Sequence, residues 1–419
     1  MAALQPRNAL YAQAGGATAV INASAAAVIL TARKHRKLIG KVFAARDGLL
    51  GMLTEDFVDM TKESAAAVRL LAGTPGCAFG TCRAGLDDYA KDRERWERLI
   101  AVFRAHDIGY IFYNGGNGSA DTASKLSQLG ALFGYSLTVV GIPKTIDNDI
   151  VGTDSCPGFG SAAKYIATSM REGAIDLASM ASTSTRVFIL EVMGRNAGWL
   201  TAACGLAAAR PGDAPQVLLF PEYPFDEGRF LERVNESVRR HGHCAVGVSE
   251  GTRDAAGVLL SISGPADSHG NPQLGGVAPM LAQLVQSKLA HKCHWAVADY
   301  LQRSARHIAS ATDVEQARAV GAAAVELAIS GGNGLMPVIE RVSSSPYRWK
   351  LRHVRLADIA VRERRLPRKY ISADGMNITS ACRAYLTPLI QGEDVPPFQG
   401  GLPIYSRSIH VPVKRRLPR

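Results

Sequence analysis

Three apolar runs in this chain end in glycine or proline, and the residue after each begins a loop or a new helical segment. Residues 8–13 lead into Ala14-Gly15-Gly16-Ala17-Thr18, and residues 109–113 into Gly115-Gly116-Asn117-Gly118-Ser119. Residues 136–142 lead into Pro143-Lys144-Thr145-Ile146-Asp147-Asn148-Asp149. Short β-rich runs alternating with helical stretches are the pattern of an α/β protein with a largely parallel sheet. Helices are predicted over 18–35 and from Ala120 onward. A second set begins near residue 158, with strands at 186–192, 216–220 and 244–249. Helical stretches follow at 194–209, 227–241, 278–291 and 314–329. The reading is two doubly wound, Rossmann-like α/β domains with a largely parallel sheet each.

At 419 residues, with 47% hydrophobic and 20% charged side chains, the chain is too apolar for disorder and long enough for two or three domains. No apolar run reaches the roughly 18 residues that a bilayer span needs. The apolar stretch 19–30 contains Asn22 and Ser24 and fits a buried helix better than a leader. Seven cysteines, with no Cys-x-x-Cys pair, predict neither zinc nor a disulfide framework, and point to a reducing cytoplasm. The net charge of +11 is confined to residues 341–419, which hold 16 Lys/Arg against 5 Asp/Glu. The remainder is neutral. That basic tail has no recognition-helix or aromatic-basic pattern, so a solvated face or subunit contact is expected, with no nucleic acid and no membrane.

A strand that ends in glycine before a helix presents unpaired N–H groups and a positive dipole end, which favours phosphate. Neither glycine loop matches GxGxxG or GxxxxGK[ST], which removes support for the common nucleotide folds. The third junction adds carboxylates at i and i+2, Asp147 and Asp149, with Lys144 beside them. Such a loop is either solvated or a place where one carboxylate takes a proton while the other neighbours a magnesium ion.

Taken in order, these residues resemble the phosphofructokinase family. The series continues with Phe79-Gly80-Thr81-Cys82-Arg83, Glu191-Val192-Met193-Gly194-Arg195, Ser249-Glu250-Gly251 and Tyr300-Leu301-Gln302-Arg303, and spans most of the first 310 residues. Family members that use ATP typically carry glycine before TIDND, and members that use pyrophosphate carry lysine; here it is Lys144. Tyr300 also looks like the pyrophosphate branch. Asn117 stands where the family usually has a magnesium-associated Asp. Gly118 stands where many pyrophosphate enzymes have a second Asp and ATP enzymes have glycine. An ATP-dependent enzyme and a catalytically silent sugar-phosphate-binding subunit are the alternatives.

The resemblance implies Asp147 as base, with Lys144, Arg195 and Thr145 as its catalytic partners. It implies diphosphate binding by Gly16, Arg83, Gly116, Gly118, Ser119 and Lys144. The sugar phosphate would meet Thr145, Asp147, Arg186, Met193, Gly194, Arg195, Glu250, Tyr300 and Arg303, with Arg186 reaching into a neighbouring subunit's site. His294 or nearby Lys292 would supply a further cation. Mg²⁺ would sit near Asn117 and Asp149. The substrates would be fructose 6-phosphate and pyrophosphate, and the assembly a homodimer or homotetramer with a shared sugar site. Residues 1–157, rejoined by about 302–340, would form the donor domain and 158–301 the sugar-phosphate domain. Residues 341–419 would be a basic C-terminal extension.

Overall fold

A computed structural model describes residues 5–210, 212–266, 272–274, 276–406 and 411–418. The chain divides into two compact units. One comprises residues 1–161, 306–363 and 392–419, the other 162–305 and 364–391. The stretch expected as a separate basic extension is therefore shared between the two units.

In the first unit, the strands of one sheet run Tyr347–Arg355, Leu335–Ser344, Thr138–Pro143, Ile108–Gly115, Arg7–Gln13, Ile39–Ala45, Phe57–Asp59. The four central neighbour pairs are parallel, and the outermost pair on each side is antiparallel. Successive side chains on a strand point to opposite faces. Ala9 and Tyr11 accordingly pack into a core with the helices Ile21–Ala32 and Ala311–Ile329, while Leu10 and Ala12 pack with Arg93–Ala105 and Asn117–Leu126. This two-sided burial explains why the central strands read as continuous apolar runs. Helices Ile21–Ala32 and Ala311–Ile329 approach so closely that a Cβ on Gly321 would lie 2.5 Å from the Ser24 carbonyl oxygen.

Two elements of this unit escape the sequence reading. The hairpin Leu335–Ser344/Tyr347–Arg355 forms the sheet edge where only short basic segments were expected. Its exposed face carries Arg348, Lys350 and Arg352, the kind of charge that protects an edge strand. On the opposite side, the C-terminal residues 411–413 bond to the edge strand Phe57–Asp59 through Asp59 N to Val411 O and Val413 N to Phe57 O. Buried Glu55 then accepts the backbone N–H groups of Arg416 and Leu417 and pairs with His106. Part of the basic tail thus completes the first unit.

In the second unit the sheet order is Cys293–Val297, Val187–Val192, Cys244–Ser249, Val217–Leu219, all parallel. Phe230 and Val234 of Glu227–His241, with Leu281 and Val285 of Val277–Leu289, cover one face. On the other, Gly173 of Phe159–Met180 lies against Phe188, and Cys204 against Gly247. The 227–241 prediction matches the observed helix. Asp226 caps its first turn at Arg229 N, and Gly242, at φ 81°, ends it. The helix Phe159–Met180 and the strand Cys293–Val297 were not predicted. The helical stretch expected over 194–209 is shorter, Trp199–Cys204 with a 3₁₀ turn Gly205–Ala207.

Candidate active site

In the first unit the three glycine- or proline-ended strands are neighbours, so their carboxyl ends bring the three loops to one edge of the sheet. Ligands of open α/β sheets bind at that edge. The Asn117–Leu126 helix begins three residues earlier than expected, directly after Gly116, so Asn117-Gly118-Ser119 form its first turn. The N–H groups of that turn precede the first intrahelical bond, Ala120 N to Gly116 O, and are available to an anion. The turn packs tightly on the strand: a Cβ on Gly115 would fall 2.1 Å from Ser119 Oγ. Beyond its own helical turn, a Cβ on Gly118 by contrast would meet no atom of the described residues within 4 Å.

Gly15 adopts φ 74°, a region that favours glycine. Its N–H donates to Cys82 O, and Thr81 Oγ1 donates to Gly15 O, which places the FGTCR segment on this loop. Arg83 follows with its side chain exposed. Lys144 is only 3% exposed, and its Nζ donates to Gly16 O. An ammonium removed from water needs such partners to be tolerated. A Cβ on Gly15 would lie 3.6 Å from the same Nζ and 3.9 Å from Ser119 Oγ, so Gly15, Gly16, Lys144 and Ser119 are one cluster.

Along 145–150 burial alternates, with Ile146, Asn148 and Ile150 inside and Thr145, Asp147 and Asp149 less buried. The two carboxylates at i and i+2 therefore share the more open side, as the spacing predicts. Asn148, at φ 54°, accepts Cys156 N, and Thr145 N donates to Pro157 O, so the loop is braced from beneath. Thr145 Oγ1 accepts the Asp147 N–H at 3.1 Å.

Asn117 Nδ2 donates to Asp149 Oδ2 at 2.8 Å. Among the described residues, Asn117 Oδ1 and Asp149 Oδ1 are buried without a hydrogen-bond partner. Burial pushes the Asp149 carboxyl above its ordinary range, with nearby Glu363 adding to the effect. Two such oxygens fit a hard divalent cation that keeps waters and binds mainly to phosphate oxygens. Among the described residues no group of three or more His, Cys, Asp or Glu forms an all-protein cage.

In the second unit the Val187–Val192 strand ends in Met193-Gly194-Arg195, with Gly194 at φ 123°. Gly194 N donates to Glu250 Oε1 at 3.4 Å, Gly194 O accepts from Ser249 Oγ at 2.8 Å, and a Cβ on Gly251 would strike Arg195 O at 1.9 Å. Burial raises the Glu250 carboxyl; the Gly194 N–H and Arg195 pull it back, and Asp299 pushes it up. The guanidinium of Arg303 lies 4.0 Å from the Tyr300 ring centroid. Sequence reasoning passed over Gln302, a buried polar residue that accepts the Met193 N–H at 3.3 Å.

Arg186 stands apart. It precedes the strand whose far end carries Met193, so roughly 20 Å of extended chain separates them. Its N–H bonds to Lys292 O, on the amino side of the sheet. His294 is exposed on the edge strand Cys293–Val297.

Comparison with known proteins agrees with this layout. Residues 8–328 match the family described as Phosphofructokinase. The pyrophosphate–fructose 6-phosphate 1-phosphotransferases of Methylococcus capsulatus and Halomonas elongata are 57% and 55% identical over 411 residues, 98% of each chain. The crystal structure of pyrophosphate-dependent phosphofructokinase from Nitrosospira multiformis superposes with a TM-score of 0.90 at 52% identity, covering 99% of both chains. That from Marinobacter aquaeolei gives 0.90 at 53%, covering 98% of both. With ordered motifs, two parallel-sheet units and full-length relatives in agreement, the chain belongs to the phosphofructokinase family.

Proposed function

We propose that this chain transfers a phosphoryl group from pyrophosphate to the 1-hydroxyl of fructose 6-phosphate, giving fructose 1,6-bisphosphate and phosphate. The names of its full-length relatives support this, and the observation that carries the choice of donor is Lys144. A buried cation tied to Gly16 adds charge for a small polyanion and fills volume that a nucleotide would need.

Phosphoryl transfer asks a protein chiefly for position and charge neutralisation. The first unit handles the donor: Gly16, Arg83, Gly116, Gly118, Ser119 and Thr145 hold pyrophosphate through backbone N–H groups and side chains. The second handles the sugar phosphate, with Glu250 accepting from sugar hydroxyls, Met193 and Gly194 lining the ring, and Tyr300 and Arg303 meeting the 6-phosphate. Asp147 takes the proton of the 1-hydroxyl as that oxygen forms a bond to phosphorus. The bridging P–O bond of pyrophosphate breaks, and phosphate leaves with the electron pair. Lys144 and Arg195 neutralise charge on the group in transfer. Asn117 and Asp149 would hold magnesium, which when bound neutralises pyrophosphate charge. An anhydride is exchanged for an ester of comparable energy, so the reaction runs both ways.

Arg186 supports a homodimer or homotetramer, because it is exposed and remote from its own chain's Met193. Trp295, Val297, Tyr300 and Leu301 are all large, exposed hydrophobics on or beside an open sheet edge, which favours a covering subunit. The seven cysteines stand outside any disulfide, which supports a cytoplasmic setting. Assaying fructose 6-phosphate with pyrophosphate, with ATP and with no donor tests the proposal. Turnover with pyrophosphate alone is expected; turnover with ATP alone would sink it.

A further inference from the structure

The short helix Asp299–Ser304 carries Tyr300 and Arg303, and six residues are too few to hold a helix in place by themselves. Two tethers fix it to the Val187–Val192 strand and its loop. One is main chain, Ala298 N to Glu191 O at 2.9 Å. The other is the Gln302 side chain, 1% exposed, whose Oε1 accepts the Met193 N–H and whose Nε2 donates to Asp299 O at 3.0 Å. Asp299 has φ 34°, a conformation that side-chain-bearing residues rarely adopt, and its carbonyl is the one that Gln302 holds. Both halves of this amide are thus occupied, one by the loop bearing Arg195 and one by the strained start of the helix bearing Tyr300 and Arg303.

We infer that Gln302 is a positioning residue for the sugar substrate: its single amide sets the spacing between the Met193-Gly194-Arg195 loop and the Tyr300–Arg303 pair. The inference rests on the reading of those two groups as binders of opposite ends of one sugar phosphate. A ligand that bridges both can be held tightly only if their separation is fixed in advance. The position needs an acceptor and a donor at once. Methionine matches the length and offers neither. A glutamate offers both only when protonated, its carbonyl oxygen facing Met193 N–H and its O–H facing Asp299 O. The charged groups nearby are Glu191 and Glu250 from the neighbouring strands, Asp299 on the same helix, and Arg195 and Arg303. Burial, which raises the neighbouring Glu191 and Glu250 carboxyls, and the three carboxylates raise the pKa of a glutamate here against the pull of Arg195, Arg303 and the Met193 N–H. Its competent form therefore prevails at low pH and is lost as pH rises through that raised value.

The test is steady-state kinetics of the full chain, wild type, Gln302→Met and Gln302→Glu, varying each substrate in turn at pH 6 and pH 8, with melting curves alongside. Gln302→Met should raise KM for fructose 6-phosphate by about 5- to 100-fold, the range for an unmade buried hydrogen bond, equally at both pH values. KM for pyrophosphate should stay within about twofold of wild type on the same reasoning. Gln302→Glu should show a similar defect at pH 8 that shrinks at pH 6. Wild-type sugar KM in Gln302→Met overturns the inference. So does a loss that affects both substrates alike and tracks a fallen melting temperature, or a Gln302→Glu defect indifferent to pH. A wild type without pyrophosphate-dependent turnover overturns the functional reading itself, and this inference with it.

Discussion

The two units present different materials at the carboxyl ends of their strands. In the first, backbone N–H donors in glycine turns and a lysine that is 3% exposed and anchored to a carbonyl stand beside the side chains of Arg83, Thr145 and Asp147. In the second the groups are side chains, among them Tyr300 at 63% exposed and a carboxylate that accepts a loop N–H. A small symmetric polyanion is well matched by fixed backbone dipoles, which need no ordering at the moment of reaction. A sugar phosphate presents hydroxyls of defined position and one dianion, which only side chains can sort. The contrast teaches where each kind of damage should appear. Changes in the first unit should act on turnover and donor choice, and changes in the second on the affinity for sugar.

The largest test of that division is Asp147→Asn. It removes the base while keeping shape and the Thr145 contact to its N–H, so kcat should fall by roughly 10² to 10⁴-fold. KM for fructose 6-phosphate should change only a few-fold, because the cations proposed for its phosphate lie in the other unit. Near-wild-type turnover would remove Asp147 from the mechanism and break the division at its centre. Next comes Lys144→Gly, expected to cost about 10² to 10³-fold in pyrophosphate turnover, the range for a preorganised charge-stabilising group. The space around Gly118 is open, so the same variant should gain measurable ATP use. If it keeps full pyrophosphate activity, Lys144 is a bystander.

What could be read in advance follows the locality of each signal. The glycine loops and the 227–241 helix announce themselves within a few residues, through φ-permissive glycines and through Asp226 and Gly242 at the helix ends. The start of Phe159–Met180 was not legible. Three donors at its start, Gly158 N, Ser161 N and Ser161 Oγ, go to Asp313, more than 150 residues later. The edge hairpin hid behind its basic face, although Trp349 and Leu351 alternate with the charged residues, which is a period-two signal. In the candidate site, residue types and order singled out Lys144, Asp147 and Glu250. The Asn117–Asp149 pair and the Gln302 tether depend on contacts across loops that spacing does not encode.

Arg186→Ala gives a smaller effect and sharpens the comparison from another side. A cation that serves a neighbouring subunit should matter to sugar affinity although it lies at the wrong end of its own strand. KM for fructose 6-phosphate should rise about tenfold, of the order of one charge-assisted contact, with kcat and the pyrophosphate KM little changed. Sedimentation should find the wild type as a dimer or tetramer, with specific activity falling on dilution. A fully active monomer would contradict both the assembly and this role.

The smallest expected effect concerns the protonation of Glu250. Burial raises its carboxyl, and Asp299 adds to the rise against the opposing pull of the Gly194 N–H and Arg195. The folded protein therefore holds this proton to a higher pH than an exposed glutamate would, and acceptor capacity for sugar hydroxyls is complete only above that raised value. As pH falls through it, one carboxylate oxygen becomes a donor, and the sugar KM should climb a few-fold while the pyrophosphate KM stays level. Stability moves the other way. A raised folded pKa means that the native state binds more protons than the unfolded chain between the two values, so stability decreases as pH rises across that window. Glu250→Gln removes the titration: it should start with a modestly raised sugar KM, keep it nearly constant below neutrality, and lose that part of the pH-dependent stability. An acidic limb that survives in Glu250→Gln would assign the titration to another group, and a limb equally strong in the pyrophosphate KM would place it in the first unit.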